Sequence, residues 1–396
     1  MNRLRIGLAF GGLVLIGMGA GATGVLIPYQ IADYHIDKVT IGLLFLAFSG
    51  GYLLSGIANG PLIHRLGTRG QLTLGAGCYL AGALAIGLRP PFPAFVALTL
   101  VLGFGAGVLD AGLNAYVTTL PGHTALLNYL HGFYGIGALL GPLLAAGLVH
   151  RQAPWQDTFL VLAALAVPLV VGFALAYPRA EPVPADESAR APLTLALRHP
   201  AVWLAATFLF LYVGIEVAVG NWSFSLLTQV KGQGDLLAGY VVSGYWLGLT
   251  VGRFLINALA ARARIAMVTT MYGCLAGVIL AVALTWWGPT GLVMALGFVL
   301  IGFFLGPIFP TTIAVTPRLL PTRLVSSAIG LLIGASVVGG TLFPWLAGAL
   351  AEGFGLTSLL PYLLLLAIAQ TIGWWAIARR MGSAEPSPEP APVSVV

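Results

Sequence analysis

Apolar runs of roughly twenty residues recur from one end of the chain to the other, and each is long enough to cross a bilayer as a helix. With no water to satisfy a backbone inside lipid, such runs fold as helices that bond internally. Twelve are expected, near residues 6–29, 39–60, 71–88, 94–119, 125–149, 158–178, 200–228, 235–257, 265–287, 290–315, 324–350 and 358–378. Only 8% of the residues are charged, against about 25% in soluble domains, so most of the surface must face lipid. The fold class is an all-α integral membrane protein.

The first run follows Met1 to Arg5 and continues to about Pro28, with no convincing cleavage site after it. It reads as the first span and not as a removed signal peptide. With this parsing fourteen arginines fall on one side of the membrane, and Lys38, Arg89, Arg151 and Lys231 fall on the other. That asymmetry predicts both termini in the cytoplasm of a cell with an inner (plasma) membrane, and it asks for no Lys or Arg inside the bilayer. The basic residues are scattered between apolar runs, which excludes a nucleic-acid surface. Cys78 and Cys274 lie inside apolar runs, so there is neither a disulfide framework nor a metal site, and nothing calls for a cofactor.

Residues 179–199 include the text PRAEPVPADESARAP and form the longest polar interruption. They are expected to be a cytoplasmic linker between a six-helix bundle at 1–178 and a second at 200–380, with 381–396 as a disordered cytoplasmic tail. A shift of 199 residues places Gly103 on Gly302, Gly107 on Gly306, Gly135 on Gly334 and Gly141 on Gly340. The only lysines, Lys38 and Lys231, fall in equivalent loops of the two halves. Repeats of this kind, with a solute site between them at mid-membrane, are a transporter arrangement.

Of twelve acidic residues, Asp110 and Glu216 are the two well inside spans. A charge there costs at least ~2.5 kcal/mol on insertion scales, which argues for a pocket and not for lipid. A carboxyl withdrawn from water is suited to loading and releasing protons, and the alternative for each is a hydrogen bond that holds helices together. Asn114 lies one turn from Asp110. Tyr212 lies one turn before Glu216, and Asn221 and Trp222 follow it on the same span. Asn128, His131 and Tyr134 fall on the fifth span, where His131 is a candidate proton relay. Trp222, Tyr245 and Trp246 offer surfaces on which a sugar ring stacks, or else interfacial anchors.

The turn after the second span reads Gly60-Pro-Leu-Ile-His64-Arg65-Leu-Gly67-Thr-Arg69. It resembles the G-x-x-x-D-R-x-G-x-[RK] loop of the major facilitator superfamily, with His64 where an aspartate is usual. The segments 103–117 (GFGAGVLDAGLNAYV), 128–142 (NYLHGFYGIGALLGP), 211–222 (LYVGIEVAVGNW) and 306–311 (GPIFPT) resemble the fucose/glucose/mannose proton symporter branch. The acid that fucose carriers place in the first helix is absent from 19–28, which brings the glucose-type carriers nearer. The resemblance implies two pseudo-symmetric six-helix bundles and a monomeric carrier working by alternating access. Its solute would be a hexose-type sugar and its coupling ion H⁺. Gly60, Arg65, Gly67 and Arg69 would form a gating loop; Asp110, Glu216 and His131 would couple protons. Asn114, Asn128, Tyr134, Tyr212, Glu216, Asn221, Trp222, Tyr245 and Trp246 would bind solute. The rival readings are a proton-driven exporter of drugs or lipophilic metabolites and, from another class, a membrane receptor or enzyme.

Overall fold

The structure is a computed structural model and describes residues 3–178, 193–288 and 290–383. Among these residues the chain is helical with no strands. The elements are α1 (Arg3–Tyr34), α2 (Gly42–Gly87), α3 (Phe92–Thr118), α4 (His123–His150), α5 (Asp157–Ala176), α6 (Leu193–Leu197) and α7 (Pro200–Ser225). They continue with α8 (Asp235–Arg262), α9 (Met267–Trp287), α10 (Gly291–Leu305), α11 (Ile308–Leu319), α12 (Thr322–Phe354) and α13 (Leu359–Ser383).

Ten helical stretches are long and apolar enough to cross a membrane. One of them is α2, whose 46 residues amount to about 69 Å at 1.5 Å per residue, more than twice a ~30 Å hydrocarbon core. It bends at Gly67, where φ is 65° and ψ is 176°. This backbone conformation is open to glycine and strained for other residues. The expected turn at 61–70 is therefore helical up to one sharp bend, and α2 crosses twice. Helix α8, with 28 residues, is more polar than the other spans and completes the expected twelve. Part of the expected linker is also helical, as α6. Residues 179–192 and the tail from 384 lie outside the described residues.

Within the first half α2 packs on α3 and α5, and α1 on α4; within the second, α7 packs on α12 and α13, and α10 on α8 and α9. The main helix pairs across the seam between halves are α4 with α8, α1 with α7 and α2 with α12. Their contacts concentrate at the end that carries the 35–41 loop. There Gly24 lies against the backbone of Gly220 and Asn221, and Gly42 lies against the Trp345 ring. A side chain at Gly24 would collide with the Gly220 carbonyl, so only glycine lets α1 and α7 touch. Lys38 closes the same end through a 3.1 Å ion pair with Glu352. The α4–α8 contact runs further, from Ala146 on Gly239, through Ser243 Oγ donating to the Leu139 carbonyl at 2.9 Å, to Thr250 on Gly135 and Phe254 on Gly132. Beyond that level, toward the opposite end, His123, Asn128 and Tyr129 of α4 and Thr322 and Arg323 of α12 are exposed.

Candidate functional site

Two polar clusters lie inside the spans, one in each half. In the first, the Tyr52 hydroxyl of α2 donates to Asp110 Oδ2 of α3. Asn114 Nδ2 donates to Asp110 Oδ1 at 2.8 Å and to the Asp110 carbonyl at 2.9 Å. The spacing of four residues puts Asn114 one helical turn from Asp110 on the same face. Both carboxylate oxygens are thereby satisfied by neutral donors, as suits a partly buried acid.

The second cluster surrounds Glu216 on α7. Tyr212, one turn earlier and fully buried, and Arg253 on α8 act on the Glu216 carboxylate electrostatically. Neither closes to a hydrogen bond or ion pair within ordinary limits; the Tyr212 hydroxyl is a buried polar atom without a partner. The Tyr245 hydroxyl donates to the Glu216 carbonyl at 2.9 Å, which ties α8 to α7 at this level.

Arg253 contradicts the expectation that no cation sits among the spans. It lies inside α8, and Nε donates to the Gly306 carbonyl at 3.4 Å. The reason is written in α10 and α11. An α-helix needs the amide of residue i+4 to satisfy each carbonyl, and Pro307 and Pro310 have no amide hydrogen to give Phe303 and Gly306. The helix breaks between α10 and α11, at Gly306 and Pro307. Gly252 lets the Phe303 carbonyl approach the α8 backbone, and the next residue, Arg253, takes up the Gly306 carbonyl. The break in the tenth span is thus docked on the Gly252-Arg253 pair.

Helix α4 stands between the clusters. Tyr134 is within electrostatic reach of Asp110, Glu216 and Arg253, and His131, three residues earlier, of Asp110 and Arg253. One face of one helix therefore senses the charged groups of both halves.

The remaining expected residues fall elsewhere. Asn128 is exposed toward the open end of the seam and makes no contact with either cluster. Asn221 and Trp222 do not gather with Glu216. Asn221 packs against Gly24; Trp222 is 1% exposed, donates Nε1 to the Pro344 carbonyl at 2.8 Å and packs on Gly348. Trp246 is buried against Gly220 and Tyr245, with its indole N–H unpartnered. In the loop motif, Gly60 and Arg65 are exposed, Arg69 is half-buried and Gly67 makes the bend. No group of three or more metal-ligating side chains occurs among the described residues.

Two members of the clusters were not anticipated. Tyr52 carries no sequence signal, since nothing in a lone tyrosine of the second span names its partner 58 residues away. Arg253 does carry one: it falls four residues inside the expected end of the eighth span, and the Gly-Pro-x-x-Pro text of the tenth calls for an outside donor.

The sequence pattern of the Major Facilitator Superfamily matches residues 9–343. The chain is 28% identical to Bypass of stop codon protein 6 of Saccharomyces cerevisiae, over 87% of this chain and 76% of that protein. It is 26% identical to a Glucose/galactose transporter of Brucella abortus, over 84% of each. Its fold superposes on a bacterial homolog of the human lysosomal transporter Spinster, crystallised in an inward-facing and occupied conformation. The TM-score is 0.81 at 14% identity, covering 97% of this chain and 98% of that one. With the family's pattern running from the first span into the eleventh, and twelve crossings arranged as two halves about a seam, the chain is a transporter that belongs to the Major Facilitator Superfamily.

Proposed function

We propose that the protein imports a hexose-type sugar together with protons by alternating access. The observation that carries this reading is the pair of carboxylates inside the spans, one per half, with Tyr134 of α4 within reach of both. A sugar offers hydroxyls that both give and accept hydrogen bonds. Asp110, Asn114, Tyr134, Tyr212 and Glu216 supply complementary groups from α3, α4 and α7. Asp110 is the coupling acid in this reading and His131 its relay, while Glu216 holds solute hydroxyls and Arg253 positions Glu216. The similarity to a glucose/galactose transporter supports the sugar class.

The arginine bias puts the chain termini in the cytoplasm. The closed end of the seam then faces outward, and the molecule stands open to the cytoplasm. Asn221 and Trp222 serve that closure by packing α7 onto α1 and α12. The molecule acts as a monomer, since both halves of the site come from one chain.

The test is uptake of a panel of labelled hexoses into proteoliposomes under imposed proton or sodium gradients. Accumulation of a hexose driven by the proton gradient alone is expected. Export of a lipophilic dye without uptake of any sugar would overturn the reading in favour of an exporter.

A further inference from the structure

The bend at Gly67 opens onto a groove of about 1000 Å³ on the first half, away from the seam. His64, Arg65 and Arg69 form its rim. Below them it is walled by Leu74 and Ala81 of the second arm of α2, Val101 of α3 and Val170 of α5. The rim is cationic and has no counter-charge of its own. Residues 39–109 contain no Asp or Glu, and His64 occupies the position where the family's loop has an aspartate. The ion pair found among the described residues, Lys38 with Glu352, is in another region of the molecule. Neither guanidinium contacts a protein acceptor among the described residues; His64 and Arg65 are exposed and Arg69 is half-buried.

The groove's shape adds a second constraint. From Arg69 to Ala81 is twelve residues, or about 18 Å of helix, close to one leaflet of a ~30 Å hydrocarbon core. A cationic rim at the depth of the headgroups therefore continues into an apolar channel the length of one acyl chain. A free anion would leave the channel empty, and a peptide would place polar backbone against lipid-depth walls.

We propose that this groove binds an anionic phospholipid, its phosphate between Arg65 and Arg69 and one acyl chain along the second arm of α2. The aspartate usual in the family would repel such a headgroup, so His64 is part of the site by not being an acid.

Cys78 lies in the groove and the chain's other cysteine, Cys274, is buried in the second half. Bimane attached to Cys78 in a Cys274→Ser background therefore reports on groove occupancy. In mixed micelles, phosphatidylglycerol with brominated chains should quench it at a mole fraction on the order of ten-fold below that needed with brominated phosphatidylcholine. The preference should vanish in Arg65→Gln/Arg69→Gln, shrink in His64→Asp and persist in Arg65→Lys/Arg69→Lys, which guards against simple misfolding. Native mass spectrometry of the unlabelled protein should show phosphatidylglycerol adducts that the Gln variant loses. Equal quenching by the two lipids in the parent, as would follow if a carboxylate from residues 179–192 filled the rim, would overturn the proposal. So would a preference that survives in the Gln variant.

Discussion

Asp110 and Glu216 each lie inside a span of their own half, yet their surroundings differ in kind. Asp110 is held by two neutral donors, Tyr52 and Asn114, on its own half. Glu216 instead lies within electrostatic reach of a guanidinium of its own half, Arg253, with Tyr212 one turn away. A proton arriving at Asp110 neutralises a charge that its own half leaves unpaired. A proton arriving at Glu216 would remove the negative charge within electrostatic reach of the half-buried Arg253, and leaving a charge inside the spans uncompensated is costly. On the function proposed above, the contrast divides the labour: the first carboxyl would change charge, and the second would present its oxygens to solute.

The largest effect that follows is at Asp110. Asp110→Asn keeps the shape and the Asn114 contact but cannot lose a proton. Gradient-driven accumulation should fall to the level of equilibration while exchange of labelled for unlabelled solute persists. Accumulation equal to the parent's would end the assignment.

At Glu216 the effect should be on affinity. Glu216→Gln removes a charged acceptor worth ~1.5–3 kcal/mol, or roughly ten-fold to more than a hundred-fold in Kd. Binding of solute to the purified variant measures it, and unchanged affinity would return Glu216 to a packing role.

Arg253 separates the two halves by coupling. Arg253→Met should weaken binding by several-fold and destabilise the protein, because Glu216 then lacks its cation and the Gly306 carbonyl its donor. If the guanidinium acts through Glu216, part of that loss should be recovered in Arg253→Met/Glu216→Gln; strictly additive losses in the double-mutant cycle would show that the two act independently.

The smallest effect belongs to the closed end. The Lys38–Glu352 pair is partly exposed, and such pairs contribute about 0.2–1 kcal/mol. Lys38→Gln should shift the balance between closed and open outer ends by less than about five-fold, readable by spin-label distances across the seam. A shift far beyond that would make the ion pair, and not the Gly24 and Trp222 packing, the main lock.

Much of this was legible in the sequence because bilayer thickness and the cost of buried charge act on single residues and short windows. Twelve spans followed from length and apolarity, and Asp110 and Glu216 stood out as acids in apolar text. Helical phase was also available. Tyr212 and Asn114 each lie about 40° around the helix from their acids, whereas Trp222 lies about 240° from Glu216, on another face. Chain proximity misleads there: six residues along α7, Trp222 belongs to the contact with α12. Tyr52 was beyond reach, since its pairing depends on how α2 lies on α3. Arg253 was readable as a residue but not as a partner, because the need it meets is created by two prolines on a different helix.

If Asp110 couples protons and Glu216 holds solute, solute-induced proton movement should distinguish the two acids. Proteoliposomes of the parent, Asp110→Asn and Glu216→Gln, each at saturating solute, would be followed with a pH-sensitive dye as solute enters. Proton entry is expected with the parent and with Glu216→Gln, and none with Asp110→Asn. Proton entry that survives in Asp110→Asn and disappears in Glu216→Gln would contradict that division of roles.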